Sequence, residues 1–372
     1  MLDKVVVALT RPIRIALLFA QSDVNATLSY QHGWPRAFME SPLFETVPFN
    51  FADCSLAERL ALAGKLVGKR VDAIVLLHSM YSNQNELRGP LPWLLGRFPQ
   101  PKAYFIGNEY KGMPEKMRFC RALGVSLLIS QCNAPDVIDL YKKELGCEVA
   151  SVPNTGIDEA IFTPRVPLAE RSIDIGYRSY EAPWYLGNLE KMEIAEFFRA
   201  AASRCGLKVD ISLDPKERFD AAGYARFLNT CRAQIGTESG GDYFELTDTT
   251  RNKVNAFMAE NPEASWPEVR RRFFDEYGPS TPLRIISGRQ VEAAACKAVQ
   301  ILFDGHYSGY LQPDVHYIPL RKDFSNADEA VKKLRDDALC ADMVDAAYDV
   351  ARRELTYERL IDKFATALRS VL

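Results

Sequence analysis

Short apolar runs alternate with longer amphipathic stretches along almost the whole chain, and no other feature limits its possible folds as much. Most of the runs are apolar at every position, which is typical of strands covered on both faces in a parallel sheet. They lie at 14–20, 46–50, 72–78, 102–106, 126–130 and 148–152, and again at 172–177, 208–213, 232–236, 298–303 and 316–320. The stretches between them, such as 55–69 and 134–145, have the pattern of helices. The alternation predicts an α/β fold with two parallel sheets.

A proline-rich segment divides this alternation into two halves. Pro153-Asn-Thr-Gly-Ile-Asp158 carries no strand or helix pattern, and Pro164 and Pro167 follow it, as expected of a linker. A chain of 372 residues also has the length of two domains of about 150 residues each. We therefore expect two Rossmann-like β/α/β domains, 1–165 and 166–350, that face each other across a cleft. The carboxyl ends of the strands would point into that cleft, where ligands bind in such folds.

Two segments fall outside the alternation. Residues 241–283 lack a strand-like run and are interpreted as a helical insertion on the rim of the cleft, with helices near 249–260 and 266–277. The cations Arg270–Arg272 on this insertion favour a solvated helix face, with contact to an anionic acceptor or a membrane surface as the alternative. Residues 351–372 repeat apolar side chains every three or four positions, which predicts an amphipathic helix with one packed face.

Composition excludes several classes of protein. The 46 Lys and Arg residues are outnumbered by 49 Asp and Glu residues, so no excess of positive charge is present to follow a nucleic-acid backbone. The eight cysteines form no Cys-x-x-Cys pair, which argues against a zinc site and favours reduced core residues of a cytoplasmic protein. The chain has no apolar stretch of about 18 residues, so we expect no membrane span, although peripheral membrane contact stays open.

The familiar phosphate-binding and hydrolytic motifs are missing from the sequence. It contains no Gly-x-x-x-x-Gly-Lys-[Ser/Thr] loop, no Gly-x-Gly-x-x-Gly, no His-Glu-x-x-His and no Gly-x-Ser-x-Gly. It also lacks an Asp-x-Asp pair, which would hold a metal ion on a nucleoside diphosphate. A sugar-transferring enzyme of this sequence should therefore need no metal and no cofactor. Arginine, lysine and helix N-termini would neutralise the diphosphate instead.

Candidate anion contacts appear at the strand ends of the second half. Arg178 ends the first strand after the linker and Lys191 opens the next helix, so the two could flank a pyrophosphate; surface ion pairs are the alternative. Glu238 and Gly240 follow another strand, where the glycine would allow close backbone approach and the carboxylate would project into the cleft. A tight turn with an exposed glutamate is the alternative reading of that segment.

Two further segments of the second half have ligand-binding character. Glu292 lies early in a predicted helix, and a carboxylate there can accept hydrogen bonds from two ribose hydroxyls; a buried glutamate without a ligand is the alternative. The turn from Gly305 to Gly309, which includes Tyr307 and Ser308, follows a strand. Its backbone N–H groups could meet a phosphate, and otherwise it is a plain turn.

The first half offers four candidates. His78 ends the third strand and could orient a sugar hydroxyl, or it could be a satisfied strand-end histidine. Asn108 and Glu109 follow the fourth strand and should face the cleft on the acceptor side. Glu109 could stabilise positive charge on a sugar ring or act as a base, or it could pair with Lys111. Trp34 could be an aromatic platform for an acceptor, with a capping aromatic side chain as the alternative.

Together these segments resemble the GT-B glycosyltransferases of the "glycosyl transferases group 1" type. Val152-Pro-Asn-Thr-Gly-Ile-Asp158 is similar to their Pro-Asn-Gly-Val-Asp hinge, and Ile286-Ser-Gly-Arg-Gln-Val-Glu-Ala-Ala-Ala-Cys296 resembles their nucleotide-sugar helix. Residues 303–326 and the closing helices are similar to the C-terminal domain of that family. The resemblance covers nearly the whole chain, and it is greatest toward bacterial glycosyltransferases of the spore-maturation type.

The resemblance implies a nucleotide-sugar donor on the second domain, an acceptor on the first, and a last helix, 351–372, that crosses back onto the first domain. By position, Glu292 matches the ribose-binding glutamate, Arg178 and Lys191 match the cations on the diphosphate, and Gly305–Gly309 matches the glycine-rich donor loop. The sequence also departs from the family. Arg284 stands where a glutamate is usual, a part that Glu238 would take, and Asn108-Glu109 replaces an expected histidine.

We therefore expect a retaining, metal-independent glycosyltransferase that moves a sugar from a UDP- or GDP-sugar to a glycan, lipid-linked or small-molecule acceptor of the cell envelope. Glu238, Glu109 and His78 would line the reacting face. Two alternatives keep the fold: a nucleotide-sugar epimerase or hydrolase, and a non-catalytic nucleotide-sugar-binding protein, which the replacements at Arg284 and Asn108 favour.

Overall fold

Two parallel sheets, each covered by helices, form the two lobes of the protein. The computed structural model describes residues 11–22, 29–66, 70–81, 84–87, 89–275 and 281–372. No helix within these ranges combines the length and the apolar character that crossing a membrane requires.

The first lobe is a six-stranded sheet with the order β2-β1-β3-β4-β5-β6, in which every pair of neighbours is parallel. Its strands are β1 (Ile13–Phe19), β2 (Phe44–Asn50), β3 (Ala73–Leu76), β4 (Lys102–Phe105), β5 (Leu127–Ser130) and β6 (Glu148–Ser151). The helices between them are α1 (Ser29–Glu40), α2 (Leu56–Leu66), α3 (Leu91–Gly96), α4 (Met113–Leu123) and α5 (Pro135–Leu145). All side chains of β3, β4 and β5 are buried, as the wholly apolar runs predicted.

The second lobe is a five-stranded parallel sheet with the order β13-β12-β9-β7-β8. Its strands are β7 (Ile173–Arg178), β8 (Val209–Ser212), β9 (Cys231–Gly236), β12 (Val299–Phe303) and β13 (Ile318–Leu320). Its helices are α6 (Glu190–Cys205), α7 (Ala221–Thr230), α10 (Gly288–Ala295), α11 (Ala327–Leu334) and α12 (Asp337–Glu354). The chain therefore has the predicted α/β architecture of two parallel sheets.

The predicted insertion is helical and also touches the first lobe. It contains α8 (Thr249–Glu260) and α9 (Trp266–Phe273), flanked by β10 (Ser239–Gly241) and β11 (Leu283–Ile285), which pair antiparallel. The carboxylate of Asp248, just before α8, accepts hydrogen bonds from the backbone N–H groups of Gly112 at 2.6 Å and Met113 at 3.1 Å. These are otherwise unpaired donors at the start of α4, so the insertion satisfies them across the lobes. Residues 276–280 of the predicted insertion, including the end of its second predicted helix, lie outside the described residues.

The last helix, α13 (Tyr357–Arg369), packs on the first lobe although it follows the second lobe in sequence. Phe364 lies in the core with Phe38, Phe44 and Phe105, at ring-centroid distances of 5.1–5.9 Å. The apolar repeat of residues 360–371 is therefore satisfied by burial against α1 and the first sheet.

Tyr357, at the start of α13, lies between two glycines from different parts of the chain. A Cβ atom on Gly33 of α1 would come within 2.2 Å of the Tyr357 ring, and one on Gly156 of the linker would come within 2.7 Å. Both glycines are needed because the ring fills the space that a side chain would take. Helix α1, the linker and α13 are thereby packed into one unit behind the cleft.

We predict that Gly33→Ala lowers the free energy of unfolding by at least about 1–3 kcal/mol, because the added methyl group overlaps the Tyr357 ring. Gly64→Ala is the matched control: Gly64 also lies in a helix, but a Cβ atom there would have no neighbouring atom within 4 Å. That control should gain about 0.5–1 kcal/mol from helix propensity. Urea unfolding of both variants measures the difference, and equal stability of the two would contradict the packing described.

Candidate functional site

A cavity of about 240 Å³ lies between the two lobes, at the carboxyl ends of both sheets. The first lobe contributes the residues that follow β3 and β4 and the start of α1. The second lobe contributes the loops after β7 and β8, the β10–β11 hairpin and the first turns of α10. Asn154 and Thr155 of the linker close one side. A Cβ atom on Gly288 would lie 2.7 Å from the Thr155 hydroxyl, so this glycine lets the linker approach the start of α10.

Three cations of the second lobe surround Tyr180 in this cavity. Lys191, in the first turn of α6, donates a hydrogen bond to the Tyr180 hydroxyl at 3.0 Å, and the guanidinium of Arg218 lies 5.5 Å from the centre of its ring. Burial alone would raise the pKa of Tyr180, but Lys191, Arg289 and Arg218 outweigh it and lower that pKa. Burial also lowers the pKa of Lys191. The potential here is strongly positive, as an anionic ligand requires.

These three cations have no acidic partners within the described part of the chain. No carboxylate of those residues lies within 4.0 Å of the charged nitrogens of Lys191, Arg218 or Arg289, whereas most other buried cations of the second lobe are paired. Lys191 is only 5% exposed. Arg289, in the first turn of α10, donates from Nε to the Arg178 carbonyl at 2.7 Å, and this bond orients the rest of its guanidinium.

Arg178 lines the cavity as the sequence predicted, but its charge is already compensated. Its guanidinium forms an ion pair with Asp210 of β8 at 2.8 Å and lies 4.5 Å from the centre of the Phe227 ring. Arg178 therefore braces the end of β7 against β8, and its carbonyl holds Arg289. Lys191 and Arg289, rather than Arg178 and Lys191, are the pair free to meet an anion.

Glu292 lies one helical turn after Arg289 on α10 and faces the first lobe across the cavity. It is 7% exposed, and one carboxylate oxygen accepts a hydrogen bond from the Ser29 hydroxyl of α1 at 2.5 Å. Burial raises the pKa of Glu292 to about 7, although Ser29 and Arg289 act in the opposite direction. The carboxylate is positioned by the capping box of α10, in which Ser287 and Gln290 exchange hydrogen bonds.

Glu238 contacts the turn that follows β12. Neither belongs to the described residues that line the cavity. The Glu238 carboxylate accepts a hydrogen bond from the Tyr307 N–H at 2.7 Å, and Gly305 leaves room for it, since a Cβ there would lie 2.7 Å from the carboxylate. The Ser308 hydroxyl accepts a hydrogen bond from the Ile286 N–H, just after β11. The Gly309 N–H donates to the His306 carbonyl and closes the turn. Glu238, Gly305, Tyr307, Ser308 and Gly309, which were predicted to face the ligand, are not among the described residues that line the cavity. Gly240, in contrast, does line the cavity.

Arg284, the departure from the family pattern, is used in a buried ion-pair network. Its guanidinium forms two hydrogen bonds to Glu190 at 2.8 and 2.9 Å and also pairs with Asp242. Lys322 is a further partner of Glu190, at 2.7 Å. Despite burial, these cations lower the pKa of Glu190 to about 2. The network ties β11 to the start of α6, and thus fixes Lys191, the residue next to Glu190.

His78 is the polar residue of the cavity with the least satisfied side chain. It is 4% exposed, and neither ring nitrogen has a hydrogen-bond partner in the described protein. The imidazole packs on Tyr30 at a centroid distance of 4.6 Å, and Gly107 leaves room for its Cβ. Burial lowers the pKa of His78 to about 3, so the ring is neutral near pH 7. A neutral imidazole in this position can donate one hydrogen bond to a ligand and accept another.

Glu109 and Asn108 are held by the first lobe. The Glu109 carboxylate accepts hydrogen bonds from the Ser130 hydroxyl at 2.6 Å, the Gln131 N–H at 2.8 Å and the Tyr141 hydroxyl at 2.8 Å. It does not pair with Lys111, the alternative considered for it. Glu109 does line the cavity, but both of its carboxylate oxygens already accept hydrogen bonds from the first lobe. Burial raises its pKa in spite of these donors.

The loop after β4 is shaped by a buried lysine. The Lys116 ammonium donates to the carbonyls of Gly107, Asn108 and Lys111 at 2.6–2.9 Å. Asn108 adopts a left-handed conformation with φ 48°, lines the cavity, and accepts a hydrogen bond from the Tyr110 hydroxyl at 3.0 Å. The loop is therefore rigid where it meets the cleft.

Trp34 lies in the core and not at the cleft. It is 0% exposed and packs against Phe38, Phe105 and Tyr357, while its indole N–H donates to the Asn154 carbonyl at 2.6 Å. The prediction of an acceptor platform is corrected for this reason: no face of the indole is available to a ligand. Its bond to the linker instead fixes the hinge to α1.

Sequence analysis missed several cavity residues, chiefly Ser29, Tyr30, Tyr180, Arg218 and Arg289. Arg289 could have been predicted, because it lies at the start of the same helix as Glu292, which the sequence did indicate. Arg218 carried a weaker signal, a cation in the loop after a strand. Ser29 and Tyr30 gave none, since nothing in their spacing indicates that α1 meets α10 across the lobes.

Comparison with solved structures finds similar folds at low sequence identity. The DNA-modifying enzyme beta-glucosyltransferase gives a TM-score of 0.56 at 12% identity, over 96% of this chain and 100% of that chain. HepE from Anabaena, in complex with UDP-glucose, gives 0.51 at 11% identity, over 96% and 100%. Sucrose-phosphate synthase from Thermosynechococcus elongatus gives 0.50 at 10% identity, over 96% and 98%. No family model and no curated protein sequence matches the chain.

These similarities extend over both lobes, and the fold is that of the GT-B glycosyltransferases, with two Rossmann-like domains. The identities are too low to carry more than the fold. The narrower resemblance to spore-maturation-type enzymes stays a prediction.

We predict that Glu292 makes stability depend on pH. The folded pKa is about 7, against 4.5 for an unperturbed glutamate, so between these values the folded protein keeps a proton that the unfolded chain has lost. This contribution is full below about pH 4.5 and is lost as the pH rises through about 7. The free energy of unfolding of wild type, relative to Glu292→Gln, should therefore fall over this window. Urea unfolding at about pH 5 and about pH 8 measures it, and parallel profiles for the two proteins would contradict the raised pKa.

Proposed function

We propose that this protein is a glycosyltransferase that moves a sugar from a nucleoside-diphosphate sugar to an acceptor hydroxyl. One observation supports this above all: Lys191, Arg218 and Arg289, paired with no carboxylate of the described residues, lie in a cleft between two Rossmann-like lobes, and Arg289 is one helical turn from the buried carboxylate of Glu292. Residues three apart on a helix have Cβ atoms about 5–6 Å apart, which suits neighbouring diphosphate and ribose groups. The solved structure of HepE with UDP-glucose makes a UDP-sugar the first donor to try.

In this proposal each group of the cleft has one task. Lys191 and Arg289 bind the diphosphate, with Arg218 as a third cation, and Glu292 accepts hydrogen bonds from the ribose hydroxyls. His78, from the opposite lobe, hydrogen-bonds the transferred sugar through its free ring nitrogens. We propose that the transfer needs no metal ion, because these cations supply the positive charge that a metal ion would otherwise bring to the diphosphate.

The chemical step follows from this arrangement. The bond between the sugar C1 and the diphosphate oxygen breaks, and its electron pair leaves with the nucleoside diphosphate. A new bond forms from C1 to the acceptor oxygen, whose proton passes to the departing diphosphate. Cations already fixed around the leaving oxygens stabilise their growing charge without reorganisation, and closure of the lobes keeps water from competing with the acceptor. Neither Glu109 nor Glu238 has a free carboxylate at the cavity, so we assign no carboxylate as a base.

The proposal predicts that Lys191→Ala and Arg289→Ala each weaken binding of UDP and of UDP-glucose by about 10- to 100-fold. A hydrogen bond to a charged group contributes about 1.5–3 kcal/mol, and 1.4 kcal/mol is tenfold in affinity. Lys253→Ala, in an exposed part of α8, is the matched control and should bind like wild type. Isothermal titration calorimetry gives the constants.

Two outcomes would contradict the proposal. Wild type that binds neither UDP nor GDP nor their sugars would remove the donor site, and unchanged affinity in both cation variants would move it elsewhere. Glu292→Ala separates ribose from phosphate recognition: it should weaken UDP binding but leave binding of inorganic pyrophosphate unchanged. Release of UDP from UDP-glucose that needs an acceptor identifies transfer, whereas release in water alone identifies a hydrolase.

A further inference from the structure

Tyr180 lies between the cations of the cleft and is itself a hydrogen-bond donor. It belongs to the loop after β7, and its hydroxyl accepts a hydrogen bond from the Lys191 ammonium at 3.0 Å. That ammonium also lies 4.4 Å from the centre of the Tyr180 ring, and the guanidinium of Arg218 lies 5.5 Å from the same point. Because Tyr180 lines the cavity, an anion that reaches these cations also meets the phenol.

The bond to Lys191 leaves the Tyr180 proton available. An ammonium group has three donors and no acceptor, so the phenol oxygen must be the acceptor in this bond. The phenol keeps one proton of its own, which can go only to another acceptor. Together the two side chains therefore present donors to the cavity, and the oxygens of an ionised phosphate are acceptors.

Tyr110 of the first lobe is a competing partner for this proton. The Tyr110 and Tyr180 hydroxyls share a hydrogen bond across the cavity, and the Tyr110 hydroxyl also donates to the side-chain oxygen of Asn108 at 3.0 Å. A charged phosphate oxygen is a stronger acceptor than a neutral phenol, because hydrogen bonds to ionised groups are about twice as strong as those between neutral groups. An anion in the cavity should therefore draw the Tyr180 proton to itself.

Four cations face Tyr180. They come from α6, from α10, from the loop after β8 and, in the first lobe, from the loop after β4: Lys191, Arg289, Arg218 and Lys111. Its other titratable neighbours are phenols, namely Tyr30, Tyr110, Tyr177 and Tyr185. Glu181, the next residue along the chain, is exposed to solvent. Although burial acts in the opposite direction, the cations of the second lobe lower the pKa of Tyr180 from its ordinary value of 10.0.

The protonation of Tyr180 decides whether it helps or opposes an anion. As a phenol it adds a donor to the cations. As a phenolate it would neutralise one of them and repel a phosphate. An anion in the cavity should therefore raise the pKa of Tyr180. By linkage, the affinity for that anion should fall as the pH rises through the pKa that Tyr180 has in the free protein.

We propose that Tyr180 is a fourth binding residue for the diphosphate: its hydroxyl donates to a phosphate oxygen while it accepts from Lys191. The tyrosine then does more than offset the charge of the lysine, because its proton sets an upper pH limit on donor binding. This inference rests on the proposed function, since it takes the anion between these cations to be a nucleoside diphosphate.

Tyr180→Phe tests the proposal, because it removes the hydroxyl and keeps the aromatic ring. At about pH 7 it should weaken UDP binding by about tenfold, the effect of one hydrogen bond to a charged group. Tyr348→Phe is the matched control. The Tyr348 ring of α12 also lies near two cations, Lys297 at 4.9 Å and Arg352 at 5.6 Å, but it is not among the described residues that line the cavity. That control should bind UDP like wild type in isothermal titration calorimetry.

The same titrations across pH separate this role from a structural one. The advantage of wild type over Tyr180→Phe should be full at about pH 7 and lost by about pH 10, where an ordinary tyrosine is half ionised. Titration of UDP itself affects both proteins alike, so the difference between their profiles isolates the phenol. The absorbance of tyrosinate gives a readout without ligand: wild type should contain a tyrosine that ionises below the ordinary pKa and that Tyr180→Phe lacks. Addition of UDP should raise that pKa.

Three results would overturn the proposal: equal UDP affinity of Tyr180→Phe and wild type, pH profiles that stay parallel, or tighter binding by Tyr180→Phe. The last result would show that the phenol occupies the place of the anion and is displaced by it. Any of these, in a protein that binds UDP, leaves the proposed function standing. Wild type that binds neither UDP nor GDP would instead contradict the donor site itself, and this inference with it. Circular dichroism verifies that both variants are folded.

Discussion

Unpaired positive charge in a confined space is the constraint on which the rest of the cleft depends. Removing Lys191 from water with no described carboxylate beside it is costly, and Arg218 and Arg289 nearby increase the cost. Tyr180 offsets part of this cost. Its hydroxyl accepts a hydrogen bond from Lys191, and the three cations lower its pKa. What remains is a site whose electrostatic energy improves when an anion enters, as a diphosphate-binding site requires.

The buried pairs around the cleft keep this charge in place. Arg178 has its own partner in Asp210 and holds Arg289 through its carbonyl, while Arg284 and Lys322 compensate Glu190 and so fix the first turn of α6. The Arg178–Asp210 pair thus supports Arg289, and the Arg284–Glu190 pair supports Lys191. Neither supported cation has a carboxylate partner among the described residues. Arg284 therefore has a structural reason to be present, even though glutamate is usual there in the family that the sequence resembles.

The fold could be predicted well from the sequence, because strands buried on both faces consist of short runs of apolar residues that are visible locally. The sequence also placed Arg178, Lys191, Gly240, Asn108, Glu109, His78 and Glu292 at the cavity, since residues after parallel strands meet at one edge. It failed where burial depends on distant parts of the chain. Trp34 is enclosed by α13, which comes more than 300 residues later, and Glu109 is saturated by Ser130 and Tyr141. Ser29 meets Glu292 only through the packing of the lobes.

The contact of Asp248 with the start of α4 bears on how a product would leave the cleft in the proposed function. The lobes are joined on one side by the linker and Tyr357, and on another by this carboxylate, which satisfies two backbone donors of the opposite lobe. A simple clamshell movement would strip both donors of their acceptor and leave Asp248 with Arg251 alone. In the proposed function, release of a product by such a movement would require α8 to detach from α4, far from any bond that the proposed reaction makes or breaks.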